Sequence, residues 1–284
     1  MNPSRRNMLS VTAAGLIHVA ANSRSAMAGE PSTPRGEPST LRGEPSPSAA
    51  SSDLLLRQAA ERGHTDLGWL KSFHSFSFGG YYDQRHMGFR SLRVINDDKI
   101  AAGKGFPTHP HRDMEIISYV LDGSLQHKDS TGRGSIITPD DIQMMSAGTG
   151  ITHSEYNPSK EQSNHFLQIW IQPAMRRVQP RYSENKVTDD QKTNQWKLIA
   201  GPDDSGAAVG IYQDAKIHAT KLEAGHKLSF TLERNRHAWL QVARGEVVVN
   251  GTTLQSGDAV ASSKATQLSV LAKQDSDVLL FDLA

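Results

Sequence analysis

Two short motifs in the middle of this 284-residue chain restrict what it can fold into. His109 and His111 flank a proline, and about forty residues later His153 and Glu155 flank a serine. Side chains two residues apart leave a β-strand on the same face, so each motif predicts a strand with both polar groups on one side. If the two strands face one another inside a barrel, three imidazoles and one carboxylate converge. The sequence therefore predicts a mononuclear metal site in a β-structure.

A second carboxylate competes for a place in this site. Glu115 follows His111 by four residues, and a continuing strand would put both side chains on one face. Sequence spacing alone leaves Glu115 and Glu155 open as the fourth ligand. Because the chain has no cysteine, any metal must be held by nitrogen and oxygen. That donor set suits iron, nickel, copper, manganese or zinc.

The composition narrows the class of protein. The chain is 37% hydrophobic and 21% charged, which is typical of a soluble globular protein, and its length favours two domains. A net charge of +1 provides no basic field, so no nucleic-acid partner is implied. The absence of cysteine also excludes disulfides and thiolate catalysis.

Residues 1–28 have the order of features found in a targeting segment. Arg5 and Arg6 precede a mildly apolar run, and Ala26-Met-Ala28 matches an A-x-A cleavage pattern. This resembles a twin-arginine export signal and predicts a periplasmic protein. The run is too short and too polar for a permanent anchor, which needs roughly 20 apolar residues, so no membrane association is expected after cleavage. A ragged N-terminus that happens to contain two arginines is the alternative.

The rest of the chain divides into a linker and two similar halves. Residues 29–52 repeat a seven-residue unit with proline and no apolar positions, which predicts a flexible linker. A short helix is predicted over residues 53–62, followed by short alternating strands with Gly, Asp and Asn at the breaks. A polar segment separates residues 53–183 from 184–284, and turn signals recur in both. Two tandem β-barrels are expected.

The spacing of these motifs resembles that of a known family. The first cupin motif is matched by Gly103, His109, His111, Glu115 and Gly123. The second is matched by Ala147-Gly-Thr-Gly-Ile-Thr-His153 and Asn157. The fuller string Phe106-Pro-Thr-His-Pro-His-Arg-Asp-Met-Glu115 is similar specifically to pirin and its bacterial relatives. The resemblance covers the chain after about residue 60.

Resemblance to the pirins implies a bicupin, in which two jelly-roll barrels follow one another and the N-terminal one binds one metal ion. Carried over by position, the ligands are His109, His111, His153 and Glu155. The resemblance implies iron(II) as the first expectation and favours Glu155 over Glu115. The second barrel contains no paired histidines and is expected to be free of metal.

Some pirin relatives cleave flavonols such as quercetin with dioxygen, and the resemblance implies this activity here. The metal would chelate the 3-hydroxyl and 4-keto oxygens, and Glu155 would take the hydroxyl proton as general base. The expected partners are a small flavonoid or related aromatic substrate and O2, and a monomer is expected. Two alternatives stay open: a metal-binding regulatory protein, and a stress-related metalloprotein with an unknown reaction.

Several other residues have two interpretations each. His127 either supports the site from behind its ligands or lies at the surface in a polar turn. Five apolar residues are candidates for the pocket wall, although a place in the core is the simpler interpretation: Phe76, Phe78, Phe89, Met144 and Met145.

Overall fold

The computed structural model of the chain describes residues 53–284, so the predicted export signal and linker lie outside the described residues. In chain order the strands of the first part are β1 Leu55–Arg57, β2 Gly63–Asp66, β3 Leu70–His74, β4 Leu92–Ile100, β5 Gly105–His111, β6 Glu115–Asp122, β7 Leu125–Asp129, β8 Gly134–Ile137, β9 Asp141–Ser146, β10 Ile151–Tyr156, β11 Asn164–Ile171 and β12 Arg181–Lys186. Those of the second part are β13 Lys197–Gly201, β14 Val209–Gly210, β15 Ala215–Leu222, β16 Lys227–Thr231, β17 His237–Arg244, β18 Glu246–Val249, β19 Thr252–Gln255, β20 Ala259–Ser262, β21 Gln267–Ala272 and β22 Ser276–Leu283. Two single-turn helices, a 3-10 helix at Ala59–Glu61 and α1 at Asp189–Lys192, complete the described elements.

Each half of the fold is a pair of sheets. In the N-terminal half a seven-stranded sheet has the order β12-β9-β6-β11-β4-β3-β2, and a four-stranded sheet has the order β5-β10-β7-β8. In the C-terminal half the seven-stranded sheet is β1-β20-β17-β22-β15-β13-β14, and the four-stranded sheet is β16-β21-β18-β19. The all-β prediction is confirmed, and each half is a pair of sheets of the jelly-roll type rather than a closed barrel.

The large N-terminal sheet is buried on both faces, and β11 shows how the sequence achieves this. Gln168 and Trp170 point into the interior of the N-terminal half, which we call the N-terminal lumen. Leu167 and Ile169 point the other way, into a hydrophobic core shared with the C-terminal half. Alternation along the strand therefore separates a functional face from a packing face.

The C-terminal half has an apolar interior of its own. Leu240, Val242, Val247, Leu268 and Leu280 belong to a hydrophobic cluster confined to this half, and all are essentially fully buried. The opposite faces of β17 and β22, which carry Leu240, Val242 and Leu280, pack against the N-terminal sheet in the shared core. The two halves are therefore joined through the outer faces of their large sheets.

The N-terminal end of the described chain differs from the prediction. The helix predicted over residues 53–62 is wrong: the segment contains β1 and a single 3-10 turn. The reason is distant pairing, since β1 adds antiparallel to β20 on the edge of the C-terminal sheet. At the C-terminal end of the N-terminal half, β12 crosses the predicted division between residues 183 and 184 and pairs with β9. Within residues 53–284, no helix has the length and apolar character needed to cross a membrane.

Candidate metal centre

The four predicted ligands lie on two adjacent strands of the four-stranded sheet. Strands β5 and β10 pair antiparallel, with His153 directly opposite His109. The expectation that the two strands face each other across a barrel is wrong, because they are hydrogen-bonded neighbours. The ligand atoms of His109, His111 and His153 nevertheless lie within 4.8 Å of one another. Cross-strand pairing brings the imidazoles together as effectively as facing strands would.

A second group of potential ligands shares His153 with the first. The ligand atoms of His127, His153 and Glu155 also lie within 4.8 Å of one another. In β7, His127 lies directly opposite Glu155 of β10. The structure therefore brings all four predicted residues to one end of the N-terminal lumen and adds His127 to them.

The ring nitrogens of His153 have different surroundings. Its Nδ1 lies 3.4 Å from Nδ1 of His127, whose Nε2 lies 3.0 Å from a carboxylate oxygen of Asp129. Because the carboxylate can only accept, His127 donates from Nε2 and accepts at Nδ1, so His153 donates from its own Nδ1. The remaining Nε2 of His153 is a buried acceptor with no hydrogen-bond partner among the described residues. This relay leaves that nitrogen free for a ligand.

His127 is therefore a supporting residue and not a surface residue. It is 1% exposed, and its ring lies against Tyr182 with 5.0 Å between ring centroids. Both of its nitrogens face protein groups, which makes it less available to an ion than His153 is. A hydrogen bond that a metal-ligating histidine donates to a supporting group orients its ring and raises its basicity.

The other two histidines are oriented by simpler contacts. Nδ1 of His109 donates to the carbonyl oxygen of Pro107 at 2.8 Å, which leaves Nε2 of His109 as an acceptor. The ring of His111 packs edge-on against Trp170, with 4.9 Å between ring centroids. Each imidazole is thus held by the fold before any ion binds.

Burial keeps the imidazoles of His111 and His153 neutral. The pKa of His111 is lowered to about 3, first by desolvation and then by the neighbouring imidazoles of His153 and His109. The pKa of His153 is also lowered to about 3, by desolvation and by His109 and His127. Neutral imidazole is the form that binds metal, so both side chains are ready to bind at neutral pH.

Glu155 is held by residues from the opposite sheet. The side-chain amide of Gln168 donates to both carboxylate oxygens, at 2.8 and 3.0 Å. The hydroxyl of Ser118 lies 3.4 Å from one of them. Sequence analysis missed both residues. The available signal was a polar residue flanked by apolar residues near the middle of each of two strands.

Glu115 lies outside this site. Strand β5 ends at His111, and Glu115 begins β6 in the other sheet, so the two residues do not share a strand face. Its carboxylate accepts hydrogen bonds from the Ser146 hydroxyl at 2.7 Å and from the Tyr212 backbone at 3.1 Å. Desolvation by burial raises the pKa of Glu115. Glu115 therefore connects the two halves of the protein.

A cavity of about 420 Å³ opens beside the histidines. His109, His111 and Glu155 lie on its wall, and the aromatic rings of Phe106 and Trp170 form apolar surfaces. Only one of the five apolar residues considered as wall candidates, Phe78, lines this cavity. The core interpretation holds for the other four, which pack in or against hydrophobic clusters: Phe76, Phe89, Met144 and Met145.

This donor set fits a divalent transition metal. Neutral imidazoles with one carboxylate suit first-row ions that need open coordination positions. Buried polar atoms almost always have a partner, so the unpartnered Nε2 of His153 is the clearest indication that the fold has left a place for a ligand.

Comparison with known proteins places this geometry in a family. Residues 56–171 match the Pirin family model, and residues 198–283 match the model described as quercetinase C-terminal cupin domain. A relative from Escherichia coli K12 named quercetin 2,3-dioxygenase is 44% identical over 230 residues, which cover 81% of this chain and 98% of the relative. A pirin-like protein from Caulobacter vibrioides is 39% identical, over 78% of this chain and 96% of its own length.

Solved structures agree with this assignment. The crystal structure of bacterial pirin YhhW from Escherichia coli in complex with nickel(II) matches with a TM-score of 0.77 and 43% sequence identity, over 81% of this chain and 98% of that one. The cupin character expected of both halves is thereby confirmed. The chain belongs to the pirin family of two-domain cupins.

Proposed function

We propose that His109, His111, His153 and Glu155 bind one divalent metal ion, with iron(II) as the physiological ion, and that the protein cleaves flavonols such as quercetin with dioxygen. The observation that carries this proposal is the arrangement at His153. Its Nε2 has no hydrogen-bond partner among residues 53–284, and it lies in one ligand group with His109 and His111, which line a cavity large enough for a small aromatic molecule.

The relatives support both parts of the proposal. One relative at 44% identity is named quercetin 2,3-dioxygenase, and a solved bacterial pirin at 43% identity contains nickel(II). The two names concern those proteins, but the likeness extends over four fifths of this chain. Nickel, copper, manganese and zinc remain the alternatives to iron, because imidazole and carboxylate donors accept all of them.

The chain's own residues have distinct parts in the proposed reaction. When bound, the ion supplies Lewis acidity and open coordination positions for substrate and dioxygen. Glu155 accepts the proton of the substrate's 3-hydroxyl group as general base. Gln168 holds that carboxylate in place through its side-chain amide. Phe106 and Trp170 bind the aromatic rings and exclude water from the reacting groups.

The proposal is tested by purification under anaerobic conditions, metal analysis, and addition of quercetin and air. We expect metal-dependent loss of flavonol absorbance together with release of carbon monoxide. His153→Ala should abolish both, and His218→Ala, which changes a histidine of the C-terminal half, should retain both. A metal-loaded protein that leaves quercetin unchanged would contradict the dioxygenase and favour a binding or regulatory role.

We also propose that the protein is exported to the periplasm by a twin-arginine signal. Arg5, Arg6 and the Ala26-Met-Ala28 cleavage pattern support this proposal. Replacing both arginines with lysine should stop export, as measured by the protein's yield in the periplasmic fraction. An unchanged periplasmic yield would contradict the proposal.

A further inference from the structure

The polarity of the N-terminal lumen extends well beyond the metal centre. One row of directly opposite residues crosses five adjacent strands of the large sheet, and it consists of His74, Asn96, Gln168, Ser118 and Gln143. All five are buried. The next inward-facing row begins with Ser72 opposite Asp98. The sheet therefore presents a polar floor to the cavity.

Most polar side chains on the cavity side of this floor satisfy one another. Nδ1 of His74 donates to the Asn96 side chain at 2.8 Å, and its Nε2 lies 2.9 Å from the Thr65 hydroxyl. The side-chain amide of Gln168 donates hydrogen bonds to the carboxylate of Glu155. These residues have their partners within the fold and need none from a ligand.

Among the floor residues that line the cavity, Asp98 is the exception. It is 2% exposed and lines the same cavity as the proposed metal ligands, yet its Oδ1 has no hydrogen-bond partner among the described residues. Desolvation by burial, opposed by Ser72 and supported by the charge of Glu155, raises the pKa of Asp98 to about 7. A buried carboxyl oxygen without a partner is costly, and that cost is relieved by any hydroxyl group that reaches it.

One other polar atom on the cavity wall shares this property. Nε1 of Trp170 is buried and has no partner within residues 53–284, but its ring adjoins His111 and therefore belongs to the metal end of the cavity. Asp98 lies on β4, two strands from the edge formed by β2, and not on the strands that carry the histidines. The cavity thus has a second point of polar recognition besides the metal centre.

We propose that Asp98 is a specificity-determining residue that hydrogen-bonds a hydroxyl group of the substrate other than its metal-binding oxygens. This inference rests on the proposed function and narrows the substrate class. The preferred substrate is a polycyclic aromatic molecule that carries a chelating pair of oxygens and at least one further hydroxyl group on another ring.

The test compares two ligands that share the chelating pair. Quercetin carries additional ring hydroxyls and 3-hydroxyflavone does not. Binding of each to metal-loaded protein is measured without oxygen, by quenching of tryptophan fluorescence, so turnover does not enter the result. We expect Asp98→Leu to weaken quercetin binding about tenfold, the effect of one buried hydrogen bond, and to leave 3-hydroxyflavone unchanged or tighter.

Asp277→Leu is the matched control. Asp277 is also buried, with a raised pKa and an unpartnered Oδ1, but it lies in the C-terminal half outside this cavity. Its substitution should leave the ratio of the two affinities unchanged. If Asp98→Leu does not fold, Asp98→Ala removes the carboxyl without added bulk, and the same ratio is measured.

Two results would overturn the inference: equal weakening of both ligands by the Asp98 variants, or no weakening of either. Failure of the proposed function would look different, because metal-loaded wild-type protein would then bind neither ligand, or would bind quercetin and leave it intact when air is admitted.

Discussion

The lumen of the N-terminal half combines rows of buried polar side chains with small apolar clusters, whereas the interior of the C-terminal half is a single apolar cluster. In the N-terminal sheet, Gln168 lies opposite Ser118 on the inward face. In the C-terminal sheet, the inward-facing row joins Val260, Leu240 and Leu280. One strand plan therefore supports both a site for chemistry and a packed core, and the choice depends on which residues occupy the inward positions.

The polar rows in the N-terminal lumen reduce the stability of that half, and the C-terminal half offsets this loss. The polar rows of this lumen contribute little hydrophobic free energy, and its apolar residues form only small clusters, such as the one that contains Leu70, Val120 and Phe166, so the large N-terminal sheet must gain further burial elsewhere. It does so on its outer face, where residues such as Ile169 pack in one cluster with Trp239 and Phe281 of the C-terminal half. The C-terminal half thus stabilises the N-terminal half without contributing to its lumen.

Removal of a metal ligand should have the largest effect on the difference between the two halves. His153→Ala should reduce bound metal from one ion per chain to near zero, because it deletes the central imidazole of both ligand groups. His218→Ala removes the histidine at the edge of the C-terminal interior and should leave metal content unchanged. Both are measured by elemental analysis of protein purified in the presence of the metal. Equal metal in the two variants would show that the lumens do not differ as described.

A substitution in the apolar interior of the C-terminal half should lower stability and leave metal binding unchanged. Leu240→Ala creates a cavity in the apolar interior of the C-terminal half and should lower the free energy of unfolding by about 2–5 kcal/mol. Urea denaturation measures this loss. The folded fraction should keep its metal, and loss of metal from folded protein would contradict the separation of roles.

The dependence of stability on pH tests how strongly the C-terminal interior disfavours a charged side chain. Burial, together with the charge of Lys216, lowers the pKa of His218 from 6.5 to about 4. Between these values the unfolded chain binds a proton that the folded chain does not, so stability falls as the pH falls from 6.5 to 4. The loss attributable to His218 is roughly 3 kcal/mol. His218→Leu should flatten this part of the stability profile, and an unchanged slope would contradict the lowered pKa.

The smallest expected effect concerns the relay behind His153. His127→Phe keeps a ring against Tyr182 but removes the acceptor that orients His153. Metal affinity should weaken about 10–100-fold, as is usual when such a supporting contact is lost. Asp129→Asn should weaken it in the same direction. Competition with a chelator measures both, and wild-type affinity in the two variants would show that the relay has no part in binding.

The sequence predicted what depends on local spacing. The side-chain period of a strand is two, so spacing alone assigned His109 with His111, and His153 with Glu155, to common strand faces. It could not predict that β5 and β10 are neighbours, because pairing register is a property of distant segments. The helix predicted at residues 53–62 failed for the same reason, since β1 is fixed by β20 about two hundred residues later.

The residues that support the site were also beyond prediction. Ser118, Gln168 and Asp98 are polar residues on three separate strands, with no motif to connect them. They converge only because β4, β6 and β11 adjoin in the large sheet. The choice between Glu115 and Glu155 rested on family resemblance for the same reason, and the structure separates the two by placing Glu115 on another sheet with partners of its own.

The most direct test of this account is a comparison of metal content in Glu155→Gln and Glu115→Gln. Both substitutions replace a buried carboxylate by an amide of nearly the same shape, so packing is preserved in each. The account predicts that Glu155→Gln loses most of its bound metal and that Glu115→Gln retains one ion per chain. Full metal in Glu155→Gln, or loss of metal only in Glu115→Gln, would contradict it.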